Sequence, residues 1–108
     1  LDASPLAGGS AERNVELLEA SLRPGEASGG AEDAPRVAAI RDAVAVNAAA
    51  ALVAFDAAVN PGADTESLSE RIGSAISRAR AVLESGDAWA LVSRWADASN
   101  RVADAEDN

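Results

Sequence analysis

Several residues of this 108-residue chain have the types and spacing from which chemistry is built. Gly8-Gly9-Ser10 stands directly before a helical pattern, and the free amides of a helix N-terminus hold anions. Glu32-Asp33 is an adjacent carboxylate pair, the donor type that magnesium takes. Arg71, Arg78 and Arg80 are cations that could meet a phosphate. Asn47 is a lone amide inside an apolar run, and Trp89 and Trp95 offer two aromatic faces.

Each of these also has a plainer reading. Gly8-Gly9 supplies a tight turn at no steric cost and lacks the rest of a phosphate loop. Glu32-Asp33 falls in a glycine-rich loop, whereas magnesium needs ligands held near octahedral geometry, so the pair is read as solvated surface charge. The three arginines lie off the apolar stripe of their helix, on its wet face. Trp89 and Trp95 are expected on one face of the last helix as packing anchors. Asn47 is expected to be a buried amide bonded to nearby backbone, with a ligand contact as the sharper alternative. Asp104, Glu106 and Asp107 read as a solvated acidic tail. The catalytic, cofactor-binding and metal assignments within this chain are therefore all none.

Composition removes whole classes of function. There is no histidine, the commonest general base, and no cysteine, so disulfides and thiolate metal sites are excluded. The net charge is −9, which disfavours nucleic acid and anionic membrane as partners. All nine basic residues are arginine. Hydrophobic residues make up 48% of the chain, which suits a globular fold, but aromatics are only 3%. Much of the apolar content is alanine, which buries little area, so the core it builds is thin. The chain opens on Leu1, contains no methionine and shows no signal-peptide pattern. It is expected to be a piece of a longer protein.

Four helices must position these residues. Pro5 and Gly8-Gly9 break the entry segment, and Ser10 caps a first helix over about 11–22, with Val15, Leu18 and Leu22 as its stripe and Leu17 widening it. Pro24-Gly25 stops it, and residues 23–34 are expected to form a flexible surface loop. Pro35 fits the first turn of a second helix over 35–58, capped by Asp33 or Ala34, which Asn60-Pro61-Gly62 ends. Ser67 and Glu70 form a capping box for a third helix over 67–84, with the stripe Leu68, Ile72, Ile76, Ala79 and Leu83. Ser85-Gly86 closes it, and Asp87 caps a last helix over 88–99 before a frayed tail. The chain itself is thus all-α, with no strand and no internal repeat.

The second helix lacks a wet face. It contains "RDAVAVNAAAALVAF", Arg41 to Phe55, in which Asn47 is the one polar side chain after Asp42. A helix apolar all round is either a membrane span or enclosed by protein. A span needs about 20 apolar residues, and the run from Ala43 to Phe55 is read as too short and too interrupted. Enclosure by protein is left. Ala48 to Ala51 would let neighbouring backbones come close on more than one side, and the three other helices carry few large side chains with which to do so. A sheet packed on the open side would complete such a layer, and this chain has no sheet.

These residues in this order resemble the C-terminal region of anthranilate phosphoribosyltransferase. "LAGGSAERN", Leu6 to Asn14, is similar to the family's Leu-x-Gly-Gly segment before a helix with an early Asn. "RDAVAVNAAAALV", Arg41 to Val53, is similar to its alanine-rich helix that follows an Arg-Asp pair. An amphipathic helix ending in Ser85-Gly86 and a terminal "SRWADAS" follow, like endings from high-GC members. The sequence departs from the family at Ser10, where Asp is frequent, and in longer segments over 25–40 and 55–65.

The resemblance implies a cytoplasmic enzyme of tryptophan biosynthesis. It transfers 5-phosphoribosyl from phosphoribosyl pyrophosphate to the amine of anthranilate, with magnesium on the pyrophosphate. It also implies a helical domain plus an α/β domain of the kind shared with nucleoside phosphorylases, usually as a homodimer. This chain would be the helical tail of the α/β domain, partnered by the upstream segment that carries the phosphate loop and the Asp-Glu magnesium pair. Alone it is expected to be inactive, and no family site residue maps onto it. A nucleoside phosphorylase is a related reading. A stand-alone helical module that docks a partner protein without catalysis is the reading from another class.

Overall fold

A computed structural model describes residues 3–23, 32–62 and 66–107. A short 3-10 turn, Ser4–Leu6, leads into four helices: α1 (Ala11–Leu22), α2 (Ala34–Val59), α3 (Leu68–Ser85) and α4 (Asp87–Glu106). No strand occurs among the described residues. The loop expected over 23–34 lies mostly outside them.

Local chemistry sets the boundaries. The Ser10 hydroxyl accepts from the Arg13 amide at 3.1 Å, which satisfies one of the orphan donors of α1. Arg23 ends that helix in extended backbone, φ −70° and ψ 144°, as the residue before a proline prefers. In α3 the capping box is complete: the Glu70 amide donates to the Ser67 hydroxyl, and the Ser67 amide donates to the Glu70 carboxylate at 2.9 Å. Gly86 then turns the chain at φ 86°, a left-handed conformation that favours glycine, and α4 starts at once.

Two caps differ from expectation. Asp33 occupies the N-cap position of α2, one of the two residues expected there, but its carboxylate makes no capping bond and takes the Arg13 guanidinium instead. Asp87 is the first residue of α4, after Gly86, rather than its cap. The last helix also runs on to Glu106. The expected frayed tail is helical, since Arg101 to Glu106 contains no breaker and α4 presents wet faces throughout.

The core is small. Leu22, Ala45, Ala79 and Leu83 form its centre where α1, α2, α3 and α4 converge, with Val44, Ala48, Ala88, Trp89 and Val92 packed around it. Ala45 and Ala49 of α2 face Ala75 and Ala79 of α3, so these two helices meet through small side chains. The stripe expected on α1 is shifted. Leu17, Ala20, Ser21 and Leu22 are buried, while Val15 is 59% exposed and Leu18 is half open. Small Ala20 and Ser21 allow the closer approach, and the buried Ser21 hydroxyl donates to the Leu17 carbonyl at 2.6 Å, so it strands no polar group. On α3 the packed residues are Ala75, Ala79 and Leu83, with Leu68 exposed at the helix start.

The described chain is flat, 52 × 41 × 23 Å, with a radius of gyration of 16.8 Å. A compact domain of this size has a radius of about 13 Å. The four helices therefore do not close around one another.

Candidate functional site

Gly8-Gly9-Ser10 is a clasp rather than an anion cradle. The Gly9 amide donates to the Asn14 side-chain oxygen at 2.8 Å, and the Asn14 side-chain nitrogen donates back to the Gly9 carbonyl at 3.3 Å. A Cβ on Gly8 would sit 3.1 Å from that same oxygen. Asn14, noted in the sequence only as part of the ordered motif, thus accounts for Gly8, whereas a Cβ on Gly9 would meet Arg13 Cγ at an ordinary 3.4 Å.

The acidic pair is split. Asp33 takes the Arg13 guanidinium at 2.5 Å, and Arg13 also reaches Glu16 at 3.2 Å. The hydrogen bond from Arg13 holds the Asp33 carboxyl below its ordinary range, and the Asp33 and Glu16 carboxylates raise the guanidinium of Arg13. Glu32 is exposed. Among the described residues no group of three His, Cys, Asp or Glu comes together to hold a metal.

The arginines act as ties between elements. Arg80 pairs with Asp42 at 3.2 Å and Arg78 with Asp56 at 3.5 Å, both joining α3 to α2. Arg71 reaches the Val53 carbonyl on α2. Sequence reading gave these three a wet face; they are exposed or half-exposed, and each is also directed at α2. Two further ties carried no sequence signal. Arg36 donates to the Ala7 carbonyl at 2.7 Å, and Arg41 donates to the Arg23 carbonyl at 3.0 Å. The Arg41-Asp42 pair thus joins α2 both to the end of α1 and to α3.

Asn47 does bond to nearby backbone, donating to the Ala43 carbonyl at 2.8 Å, but it is exposed rather than buried. The two tryptophans part company. Trp89 is half-buried, with the Arg23 guanidinium 5.4 Å from its ring centroid, whereas Trp95 is 73% exposed. A separation of six residues puts them about 120° apart around a helix, so they cannot share a face.

What remains is the dry helix, and it is mostly uncovered. Only Val37, Ala45 and Ala49 of α2 are buried. Two apolar grooves run along it. One, of about 680 Å³, lies against Leu6, Leu17, Leu18 and Ile40. The other, of about 650 Å³, lies against Leu52, Phe55, Val82 and Leu83. Val44 and Ala48 line both, so the grooves flank a single ridge of α2. The length argument against a membrane span does not hold, because the helix extends through Val59 and is long and apolar enough to cross a bilayer. The core helix of a soluble protein has the same length and composition.

Comparison with known proteins bears on what covers this helix. The chain is 36% identical over 104 residues to an anthranilate phosphoribosyltransferase of Nocardia farcinica, a match covering 96% of the chain. It is 40% identical over 97 residues to one of Saccharopolyspora erythraea, covering 90%. The chain is similar to a segment of anthranilate phosphoribosyltransferase. The resemblance read from the ordered motifs therefore holds along nearly the whole chain. The chain spans about a quarter of the length of these curated relatives, 27% and 23%. No protein-family profile matches the chain, and no solved structure does.

Proposed function

We propose that this chain is the C-terminal helical part of an anthranilate phosphoribosyltransferase and works as its scaffold. In the whole enzyme the anthranilate amine bonds to the ribose carbon of phosphoribosyl pyrophosphate, and pyrophosphate leaves. Such a reaction relies on positioning the two reactants and on neutralising the leaving group. Magnesium, when bound, supplies part of that neutralisation, and its ligands belong to residues outside this chain. The side chains described above hold helices together, and this reading assigns none of them a contact with a reacting atom. A cytoplasmic homodimer is the assembly this reading carries, with the apolar helix covered by protein rather than lipid.

One observation carries the reading: identity of 36% runs along 96% of the chain yet covers 27% of the relative. A chain that is one quarter of an enzyme has an enclosed helix only when the rest is present, which matches a dry helix left open. The test is a chimera in which this chain replaces the matching segment of the Nocardia farcinica relative. Phosphoribosyl transfer to anthranilate is expected from the chimera and none from the isolated chain. A folded chimera without activity, or whole-enzyme turnover by the chain alone, would overturn the proposal. A sharp, concentration-independent monomeric melt of the isolated chain would favour the stand-alone module instead.

A further inference from the structure

Leu91, Trp95, Ala98, Val102 and Ala105 of α4 follow one another at spacings of four, three, four and three. That is the a/d repeat of a coiled coil. At about 100° per residue, these side chains leave the helix within about 80° of one another. Asp97, Asn100 and Asp104 stand on the opposite side. So narrow a stripe suits one facing helix, whereas a helix laid on a core shows a wider one. Leu91 is 58%, Trp95 73% and Val102 61% exposed. Trp89 and Val92, which pack on the core, point roughly 130° away, so the core contact and the seam use different sides of α4.

The charges beside the seam say which helix fits. With Trp95 as an a position, Arg94 and Arg101 are g positions and Glu106 is an e position. Every other arginine is engaged inside the chain, with a carboxylate or a carbonyl oxygen. Among the described residues Arg94 and Arg101 have no such partner. We infer that this seam pairs, parallel and in register, with α4 of a second copy of the chain. A parallel pair sets each g position against the e position of the partner's next heptad, so Arg101 of either copy meets Glu106 of the other. An antiparallel pair would instead bring Arg94 toward Arg101, like charge against like. Trp95 and Val102 at a alternate with Ala98 and Ala105 at d, which leaves room for two indole rings in one layer. A twofold contact uses the same patch on both partners, and this single seam serves both. About two heptads bury less than a permanent dimer needs, so the pairing is weak and depends on concentration.

The inference goes beyond the functional reading and takes from it only the protein for the test, the active chimera. The chain lacks cysteine, so single thiols can report on the seam. Parallel pairing in register brings Ala98→Cys onto itself, while Asn100→Cys, on the opposite side of α4, is the control. Under a mild oxidant the Ala98→Cys dimer, identified as its disulfide-linked peptide pair, is expected to form at least about tenfold faster than the Asn100→Cys dimer. Adding Arg101→Glu should slow it, and Arg101→Glu together with Glu106→Arg should restore it. Equal rates for the two thiols, or a rate indifferent to the charge reversal, would overturn the inference. So would an Ala98→Cys thiol that neither cross-links nor reacts with a water-soluble maleimide, since something other than a second copy then covers the seam. In an active chimera each of these outcomes leaves the functional reading intact. A folded but inactive chimera overturns that reading, and the same cross-linking of the 108-residue chain then decides the seam by itself. Ala105→Cys, the next d position, replaces Ala98→Cys if that variant does not fold.

Discussion

Asn14 and Gly9 are bonded in both directions, side chain to backbone, across the start of α1. The amide at Gly9 would otherwise face water or a wandering loop. Asn14→Ala removes both bonds, and each such bond contributes about 1 kcal/mol. The expected result is faster hydrogen exchange of the first-turn amides of α1. Asn14→Asp keeps the acceptor and loses the donor, so it should fall between the two. Equal exchange in all three proteins would show that the clasp contributes nothing.

Asp33 should make stability depend on pH in one direction. Its carboxyl is held below the ordinary value of 3.8 by the hydrogen bond from Arg13. A group with a lowered folded value contributes stability that is present above the unfolded value and is lost as pH falls through the folded one. Asp33→Asn should therefore cost stability at neutral pH, and the difference from the parent should vanish in acid. Urea unfolding of both proteins from pH 7 down to about pH 2 reads this out. A difference that persists at the acid end would place the effect elsewhere.

Ser67 caps α3 with a reciprocal partner in Glu70. Ser67→Ala should cost about 1 kcal/mol, and Ser67→Gly only a few tenths. Loss of Glu70 alone should leave the Ser67 cap on the Glu70 amide and cost less than Ser67→Ala. Hydrogen exchange in the first turn of α3 orders the three variants.

Gly86 sits at φ 86° between α3 and α4. A Cβ in left-handed backbone costs about 1–2 kcal/mol. Gly86→Ala is expected to lower the melting temperature, with Gly86→Asn recovering part of the loss because Asn tolerates that conformation. Identical melts would mean that the turn relaxes freely.

How much of this was legible beforehand differs by residue. Ser10, Ser67, Glu70 and Gly86 are signals written in one short stretch, and they marked the helix ends to within a residue or two. The α1 stripe was misplaced because periodicity ranks Val15 and Leu18 above Ala20 and Ser21 by size, whereas helix packing here prefers the small pair. Asn47 looked buried because its neighbours are dry, but dryness in the sequence speaks of the whole assembled protein and not of this chain's own folding. The ties from Arg36 and Arg41 to carbonyl oxygens had no pattern to find, since any exposed carbonyl can accept from an arginine.

The single-residue joint at Gly86 has a mechanical meaning for α4. That helix has no buried residue of its own, and Ala88, Trp89 and Val92 in its first turns pack against the core. From there α4 runs on to Glu106, and twenty residues of helix measure about 30 Å. A change of about 10° in its direction at the pivot would swing the tip through about 5 Å on that length. The position of Trp95 and Val102 in space is therefore sensitive to the backbone angle of one glycine.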